Sequence, residues 1–358
     1  MILHGDNMKI MPTLEPESFQ TCVTSPPYWG LRNYGVPESD WPEVTYIPMP
    51  GLPPITVPEW IGCLGLEPTP EMFVAHMVLV FREVWRLLRK DGTLWVNYGD
   101  SYAAGGNGGG GAFMDERRAW KGRESVKGWR KPPEGLKKKD LVGIPWRVAF
   151  ALQADGWYLR MDNIWFKTNP MPESVQDRPT KAHEYFFQFS KSEHYYYDRD
   201  AVLEPLTEAS PTRLAQDIER QAGSDRAAGG AKTNGPMKAR FSVRGSRGVI
   251  HNPENSGRRD DDKPFVPPEM RNKRSVWTGP TATFREAHFA TFPEWLIRPC
   301  ILAGAPRGGR VLDPFGGSGT TKKVAEEEGR ECTIIEIGER YVDIAQRRTA
   351  VIQPTLNI

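Results

Sequence analysis

At 358 residues, 39% of them hydrophobic, the chain is long enough for one large domain or two modest ones, with no apolar run near the ~18–20 residues of a membrane span and no secretory pattern in Met1-Ile2-Leu3-His4-Gly5-Asp6. Its cysteines, Cys22, Cys63, Cys300 and Cys332, lack the spacing of a zinc site or a disulfide framework, so a reduced cytoplasmic setting without a metal is expected. The net charge of +2 is uninformative, but ten Lys or Arg face two acids between Arg117 and Lys139, and ten face five between Lys238 and Arg274; such runs are either solvated loops or local positive surface for phosphates.

In chain order, Thr21-Cys22-Val23-Thr24 reads as a short buried strand stopped by Ser25-Pro26-Pro27. From Glu71 to Leu88, apolar residues at Phe73, Met77, Val80, Phe81, Val84, Leu87 and Leu88 recur at helical spacing. Asp91-Gly92 turns into a strand over Thr93–Asn97. Strand, helix and strand in that rhythm predict a parallel sheet covered by helices. The glycine-rich stretch from Ala103 opens a segment through Lys139 expected to be a mobile basic loop. A helix follows from Ile144, with Pro145 tolerated in its first turn, then strands at Tyr158–Phe166 and Glu184–Ser190. The polar segment from about Asp198 to Phe284 reads as a separate lobe or insertion. Regular patterning returns with a helix at Trp295–Leu302, a strand at Arg310–Leu312, a helix at Gly319–Glu328, a strand at Cys332–Ile335 and a last helix at Tyr341–Arg348.

The most informative stretch is Arg310-Val311-Leu312-Asp313-Pro314-Phe315-Gly316-Gly317-Ser318-Gly319-Thr320-Thr321. A strand enters a glycine-rich turn that opens a helix, and the next strand ends in Glu336. Glycines let the backbone approach a ligand, and an acid at the end of the next strand can hold ribose hydroxyls. A P-loop requires Gly-Lys before Ser or Thr, and here Lys322 follows Thr321. A nicotinamide fingerprint requires a third glycine where Lys322 stands. What remains, besides a purely structural turn, is a nucleoside held without a pyrophosphate, as S-adenosylmethionine requires. Asp313 is placed for the amine of its methionine end, and Phe315, Gly317, Ser318, Gly319 and Thr320 are the candidate contacts of the turn.

Thr24-Ser25-Pro26-Pro27-Tyr28-Trp29 is the second signal. Two prolines fix the backbone after a strand and direct carbonyls into the cleft beyond it. The lone pair of an exocyclic base amine is delocalised into the ring. Fixed acceptors for both of its N–H groups draw the nitrogen toward tetrahedral geometry and localise that pair. Ser25 Oγ and the Pro26 carbonyl are candidate acceptors, with Pro27 shaping the turn and Tyr28 stacking on an extruded base.

Ser25-Pro26-Pro27-Tyr28 together with Asp313-Pro314-Phe315-Gly316-Gly317-Ser318-Gly319 resembles the DNA amino-methyltransferases of the bacterial and phage β group, in which the catalytic motif precedes the cofactor motif. The similarity extends through Gly99–Tyr102, Asp140–Trp146, Asn169–Ser174, Arg178–Glu184 and His288–Pro293. The resemblance implies a Rossmann-like α/β fold, S-adenosylmethionine as cofactor and double-stranded DNA as partner, with a homodimer and a cognate restriction enzyme as further possible partners. It implies that Asp6 of Gly5-Asp6-Asn7 contacts the cofactor's adenine and that Ala290-Thr291-Phe292-Pro293 closes over its methionine part. It divides the chain into a catalytic half (1–197, with the basic loop 103–139), a target-recognition region (198–284) and a cofactor half (285–358). Serine at the first motif position favours cytosine N4 over adenine N6. Gly316-Gly317 departs from the pattern, since a larger residue often fills one of these places; the loss of bulk is expected to be harmless.

Three weaker signals are set aside. Pro299-Cys300 resembles a cytosine ring-carbon nucleophile but precedes the cofactor motif within an apolar pattern, which predicts a core thiol. His183-Glu184 begins like a zinc-protease helix, but Phe187 stands where the second histidine belongs, which predicts a strand start. Tyr195-Tyr196-Tyr197 reads equally as a base-stacking group or a half-buried strand edge. A silent DNA-binding module and a protein amine methyltransferase are the alternatives from other classes; intact acceptors beside an intact cofactor turn disfavour the first, and the permuted order with its basic insertions the second.

Overall fold

The computed structural model describes residues 1–31, 34–103, 132–206, 270–282 and 292–350. It begins with β1 (Ile2–His4), α1 (Asn7–Ile10), β2 (Phe19–Thr24) and four short strands, β3 (Ser39–Trp41), β4 (Val44–Tyr46), β5 (Ile55–Val57) and β6 (Trp60–Gly62). Next come α2 (Pro70–Leu87), β7 (Leu88–Tyr98), α3 (Ile144–Ala154), β8 (Tyr158–Lys167) and β9 (His183–Ser190). After β10 (Glu204–Pro205), β11 (Met270–Arg271) and β12 (Val276–Gly279), the chain closes with α4 (Glu294–Gly304), β13 (Arg310–Asp313), α5 (Thr320–Glu327), β14 (Glu331–Glu336) and α6 (Glu339–Thr349).

One eight-stranded sheet, in the order β1-β14-β13-β2-β7-β9-β8-β12, organises the larger unit, Met1–Val202 with Arg274–Ile358. All its neighbouring pairs are parallel except those that β9 makes with β7 and β8. This is the expected mostly parallel α/β sheet. Each buried strand alternates faces, as a period of two requires. Cys22, Leu94, Leu312 and Ile335 join one core with α2 and α3, while Val23, Trp95, Val311 and Ile334 join the other with α4 and α5. Helices therefore cover both faces. Cys300 is fully buried in the second core, as expected.

Helix α2 shows why the sequence folds this way. Thr69 caps it by accepting from the Met72 amide at 3.2 Å, Pro70 occupies the first turn, and Phe73, Met77, Val80, Phe81, Val84 and Leu87 are fully buried. Burying each such side chain contributes about 1.5–3 kcal/mol. Among the described residues no helix is long and apolar enough to cross a membrane.

The observed fold departs from the sequence expectations at several points. Strands β1 and β12 were not expected. Neither was the ladder in which β3 pairs with β6 and β4 with β5, all antiparallel; its Trp41, Val44, Tyr46 and Val57 are buried. Tyr195–Tyr197 form no strand edge: the segment is irregular, and the Tyr196 amide donates to the Asp91 carbonyl at 2.9 Å. His183 does begin a strand. The glycine-rich segment lies mostly outside the described residues, but Ala103 exchanges backbone hydrogen bonds with Lys139 and Asp140, which joins its two ends.

The second unit is Leu203–Lys273. Its described part is the antiparallel pair of β10 and β11, with Arg271 paired to Glu204 at 3.0 Å. Most of the expected target-recognition region, 198–284, is outside the described residues.

Candidate active site

Strands β2 and β13 are adjacent and parallel, so the turns that leave their carboxyl ends emerge side by side. A buried carboxylate joins them. Asp313, 1% exposed, accepts from Thr24 Oγ1 at 2.7 Å and from the Phe315 amide at 3.0 Å through Oδ1, and from Thr321 Oγ1 at 2.6 Å through Oδ2. Burial pushes its pKa up, and the three hydrogen bonds pull it back. Thr24 precedes Ser25 directly, so this bond fixes the start of the proline turn against the glycine turn. The expected contact with a cofactor amine concerns a carboxylate already held by three donors of the chain.

In the glycine turn, the Gly316 amide donates to the Ile335 carbonyl and the Gly317 amide to Glu336 Oε2, both at 2.8 Å. Glu336 ends β14, and its other oxygen accepts from the Gly338 amide at 2.8 Å. Burial raises its pKa against those two bonds. Gly316 is more than an absence of bulk: a Cβ there would stand 2.8 Å from Ile334 Cβ, so the packing demands glycine. Gly319 has φ +78° and would meet Ala345 at 2.9 Å. Gly317, in contrast, would carry a Cβ with no atom nearer than 3.9 Å, which marks the open side of the turn.

Ser318 and Thr320 are buried and engaged by a residue that no motif in the sequence singles out. Arg348 of α6 donates to Ser318 Oγ at 2.7 Å, to its carbonyl at 2.8 Å and to Thr320 Oγ1 at 3.1 Å. Burial lowers the Arg348 pKa. Asp6 follows β1, which pairs with β14, and the Gly5 amide donates to the Glu336 carbonyl at 2.9 Å. Asp6 caps α1 by accepting from the Met8 amide at 2.8 Å, and Asn7 Nδ2 reaches the Pro314 carbonyl at 3.1 Å. Asp6, Asp313, Gly317 and Glu336 thus meet at one end of the sheet. Phe315 is partly buried against the first core, Phe292 is buried in the second, and Thr291 lies outside the described residues.

In the proline turn, Pro26 is buried, while Ser25, Pro27 and Tyr28 are partly exposed. Tyr28 Oη lies 2.8 Å from Glu184 Oε2 and 3.0 Å from Asn97 Oδ1. Burial, with Glu184 beside it, pushes the phenol pKa well up, so the group is neutral. A Cβ on Gly99 would fall 2.5 Å from Tyr28 Cε2, so one side of the ring rests on that glycine. Behind the turn, Trp29 Nε1 donates to the Glu67 carbonyl at 2.9 Å and the Gly30 amide to the Gly65 carbonyl at 2.8 Å. Glu67 itself binds the Gly65 amide at 2.8 Å and His76 Nδ1 at 2.9 Å, with both ionisable side chains fully buried. No spacing in the sequence points to this support.

The similar segments Gly99–Tyr102, Asp140–Trp146 and Arg178–Glu184 are joined to one another, and residues 288–291 lie outside the described residues. Asp100 accepts from the Gly143 and Ile144 amides at 3.0 and 3.1 Å, Lys181 Nζ donates to the Asp100 carbonyl at 3.2 Å, and Arg178 stacks on Tyr102 at 4.1 Å.

The chain matches the family model described as DNA methylase, of the N6/N4 type, over residues 19–347. It is 38% identical over 348 residues to the Type II methyltransferase M.SmaI of Serratia marcescens, covering 97% of this chain and 89% of that protein. To the Type II methyltransferase M.Cfr9I of Citrobacter freundii it is 39% identical over 350 residues, covering 97% and 86%. Among solved structures, the cytosine-N4-specific PvuII DNA methyltransferase superposes with a TM-score of 0.53 at 18% identity, covering 97% of this chain and 85% of the other. A Thermus thermophilus protein complexed with S-adenosyl-L-methionine gives 0.50 at 18% identity, covering 98% and 92%. The protein is a member of the N6/N4 DNA amino-methyltransferase family.

Proposed function

We propose that this chain is a site-specific DNA methyltransferase that methylates the exocyclic N4 amine of cytosine, with S-adenosylmethionine as methyl donor. The observation that carries this reading is the Thr24–Asp313–Thr321 link, which sets Ser25 and Pro26 beside the glycine turn. The residues fit the cofactor: the open flank at Gly317 lies beside Glu336, proposed for its ribose, and Asp6, proposed for its adenine, follows the strand that pairs with β14. Asp313 holds the turn that receives its methionine end, and Thr291 and Phe292 are proposed to close over that end. When bound, S-adenosylmethionine supplies an electrophilic methyl group on a sulfonium.

The chain's own residues act on the base. The target nucleotide is extruded from the duplex, which costs a few kcal/mol of lost stacking and pairing. Tyr28 stacks on it with the ring face away from Gly99. Ser25 Oγ and the Pro26 carbonyl accept the two amine hydrogens, so the nitrogen lone pair localises and points at the electrophile. Basic residues of the segments 117–139 and 238–274 are assigned to the phosphates, and 198–284 to sequence recognition. Serine at position 25 supports cytosine.

The test is nucleoside mass spectrometry of DNA treated with the protein and S-adenosylmethionine. N4-methylcytosine is expected. N6-methyladenine would keep the mechanism and replace the base, and bound cofactor without any methylated nucleoside on sequence-diverse DNA would favour a silent DNA-binding module.

A further inference from the structure

Residues 65–67 form a strut between the proline turn and helix α2. Toward the turn, the Gly30 amide donates to the Gly65 carbonyl at 2.8 Å and Trp29 Nε1 to the Glu67 carbonyl at 2.9 Å. Gly65, at φ +91°, passes so close behind the turn that a Cβ there would stand 3.2 Å from the Tyr28 carbonyl oxygen and 3.3 Å from Pro27 Cβ. Toward the helix, Glu67 Oε1 lies 2.9 Å from His76 Nδ1, while Oε2 accepts from the Gly65 amide at 2.8 Å. His76 belongs to α2, where its neighbours Ala75 and Met77 are fully buried in the first core. Its ring stacks on Trp41 of β3 at 4.4 Å and on Trp60 of β6 at 5.7 Å. Both Glu67 and His76 have fully buried side chains. The carboxylate therefore carries the position of a helix fixed in the core to the backbone of Tyr28.

The demand on position 67 is one of reach. Its side chain must accept from the Gly65 amide with one atom and bond His76 Nδ1 with another. A glutamine meets both conditions: its oxygen accepts from Gly65, and its NH2 donates to Nδ1 once the ring hydrogen sits on Nε2. His76 Nε2 is buried with no hydrogen-bond partner among the described residues, so a change of tautomer neither makes nor breaks a bond on that side. An aspartate keeps the charge but is one methylene short and cannot span both groups. We infer that Glu67 is a positioning residue, which sets where Tyr28 stands in the base pocket through the reach of its side chain rather than through its charge. This rests on the proposed role of Tyr28 as the ring that stacks on the extruded base. Without that reach the buried Gly65 amide loses its acceptor, a costly state that the loop relieves by shifting, and the turn bonded to it shifts as well. The ladder of β3 to β6 gains a task, since Trp41 and Trp60 hold the imidazole that anchors the strut.

Three substitutions, Glu67→Ala, Glu67→Asp and Glu67→Gln, test this in the full-length protein. Transfer from tritiated S-adenosylmethionine to unmethylated plasmid DNA is measured under single-turnover conditions, and cofactor affinity by calorimetry. Glu67→Ala is expected to transfer about tenfold more slowly, since misplacing reacting groups by about 1 Å can cost roughly a hundredfold and this shift is smaller. Glu67→Asp should lose rate severalfold, while Glu67→Gln should restore it to within about twofold of wild type. Cofactor affinity should hold within about twofold in all three, because the bonds of the strut go to the proline turn and α2. Gly65→Ala, which presses on Tyr28 from the same side, should also slow transfer at level cofactor affinity. A wild-type rate for Glu67→Ala or Gly65→Ala, a glutamine no faster than an aspartate, or cofactor affinity falling in step with the rate would overturn the inference. Should Glu67→Ala fail to fold, the order of the other two decides: Glu67→Gln must transfer faster than Glu67→Asp. The wider reading fails separately, if the wild-type protein methylates no DNA.

Discussion

The turns that leave β2 and β13 lie side by side but are built from opposite materials. The β2 turn has two prolines, which carry no amide hydrogen, so its backbone presents mainly acceptors. The β13 turn has three glycines in four residues, and its amides point into bonds with Ile335, Glu336 and Gly316. Acceptors suit an amine that donates two hydrogen bonds, whereas the glycine turn, its amides spent on the chain's own acceptors, suits a ligand through the close approach its missing side chains allow. The two turns also fail differently. Substitutions in the first should lower the rate of transfer, and substitutions in the second should lower cofactor affinity.

The largest effect is expected from Ser25→Ala. Removing a transition-state hydrogen bond should reduce kcat by about 10²-fold or more while cofactor affinity stays level. Equal turnover with normal affinity would remove Ser25 from the chemistry and leave the proline turn a structural corner.

Two glycines sharpen the contrast. Gly319→Ala forces a side chain into φ +78° and against Ala345 at 2.9 Å. Backbone strain of this kind costs about 1–3 kcal/mol, so cofactor affinity should fall about tenfold, measured by calorimetry, with a lowered melting temperature. Gly99→Ala pushes Tyr28 from a contact of 2.5 Å and should cut the transfer rate severalfold at unchanged cofactor affinity. If the two substitutions exchanged their effects, the division of labour between the turns would be wrong.

The elements legible in the sequence are those with long apolar periodicity. Helix α2 and strands β2, β8, β13 and β14 are expected within a few residues of their observed ends, whereas β7 begins at Leu88, five residues before its expected start, and runs through Asp91-Gly92 where a turn is expected. The ladder of β3 to β6 is not expected, because three-residue strands are too short to show alternation. Strand β12 is hidden in a polar stretch where Val276 and Thr278 are exposed. The two motifs place Ser25 and Asp313 correctly at neighbouring strand ends, since a parallel α/β sheet gathers such turns at one edge. Their supports are not legible. Glu184 lies 156 residues from Tyr28 and Thr24 lies 289 from Asp313, and no local pattern encodes such pairings. Gly316 reads in the sequence as a harmless departure, because the Ile334 side chain that forbids a Cβ comes from the next strand.

The smallest predicted effect concerns the joint between the turns. Asp313 is buried with three hydrogen bonds, and its pKa is raised chiefly by burial. A folded-state pKa above the unfolded value means that the folded chain binds this proton more tightly. Stability is therefore lost as pH rises from the unfolded value through the folded one, and the cost persists above it. Asp313→Asn removes the titration. Its melting temperature relative to wild type should accordingly improve from about pH 4 to pH 8, on the ordinary carboxylate reference. The same variant should transfer more slowly at every pH, because an amide cannot accept from Thr24, Phe315 and Thr321 with both ends. A gap in melting temperature that did not move with pH would mean that the hydrogen bonds fully compensate the burial of Asp313. In that case the carboxylate joins the two turns without cost to the fold.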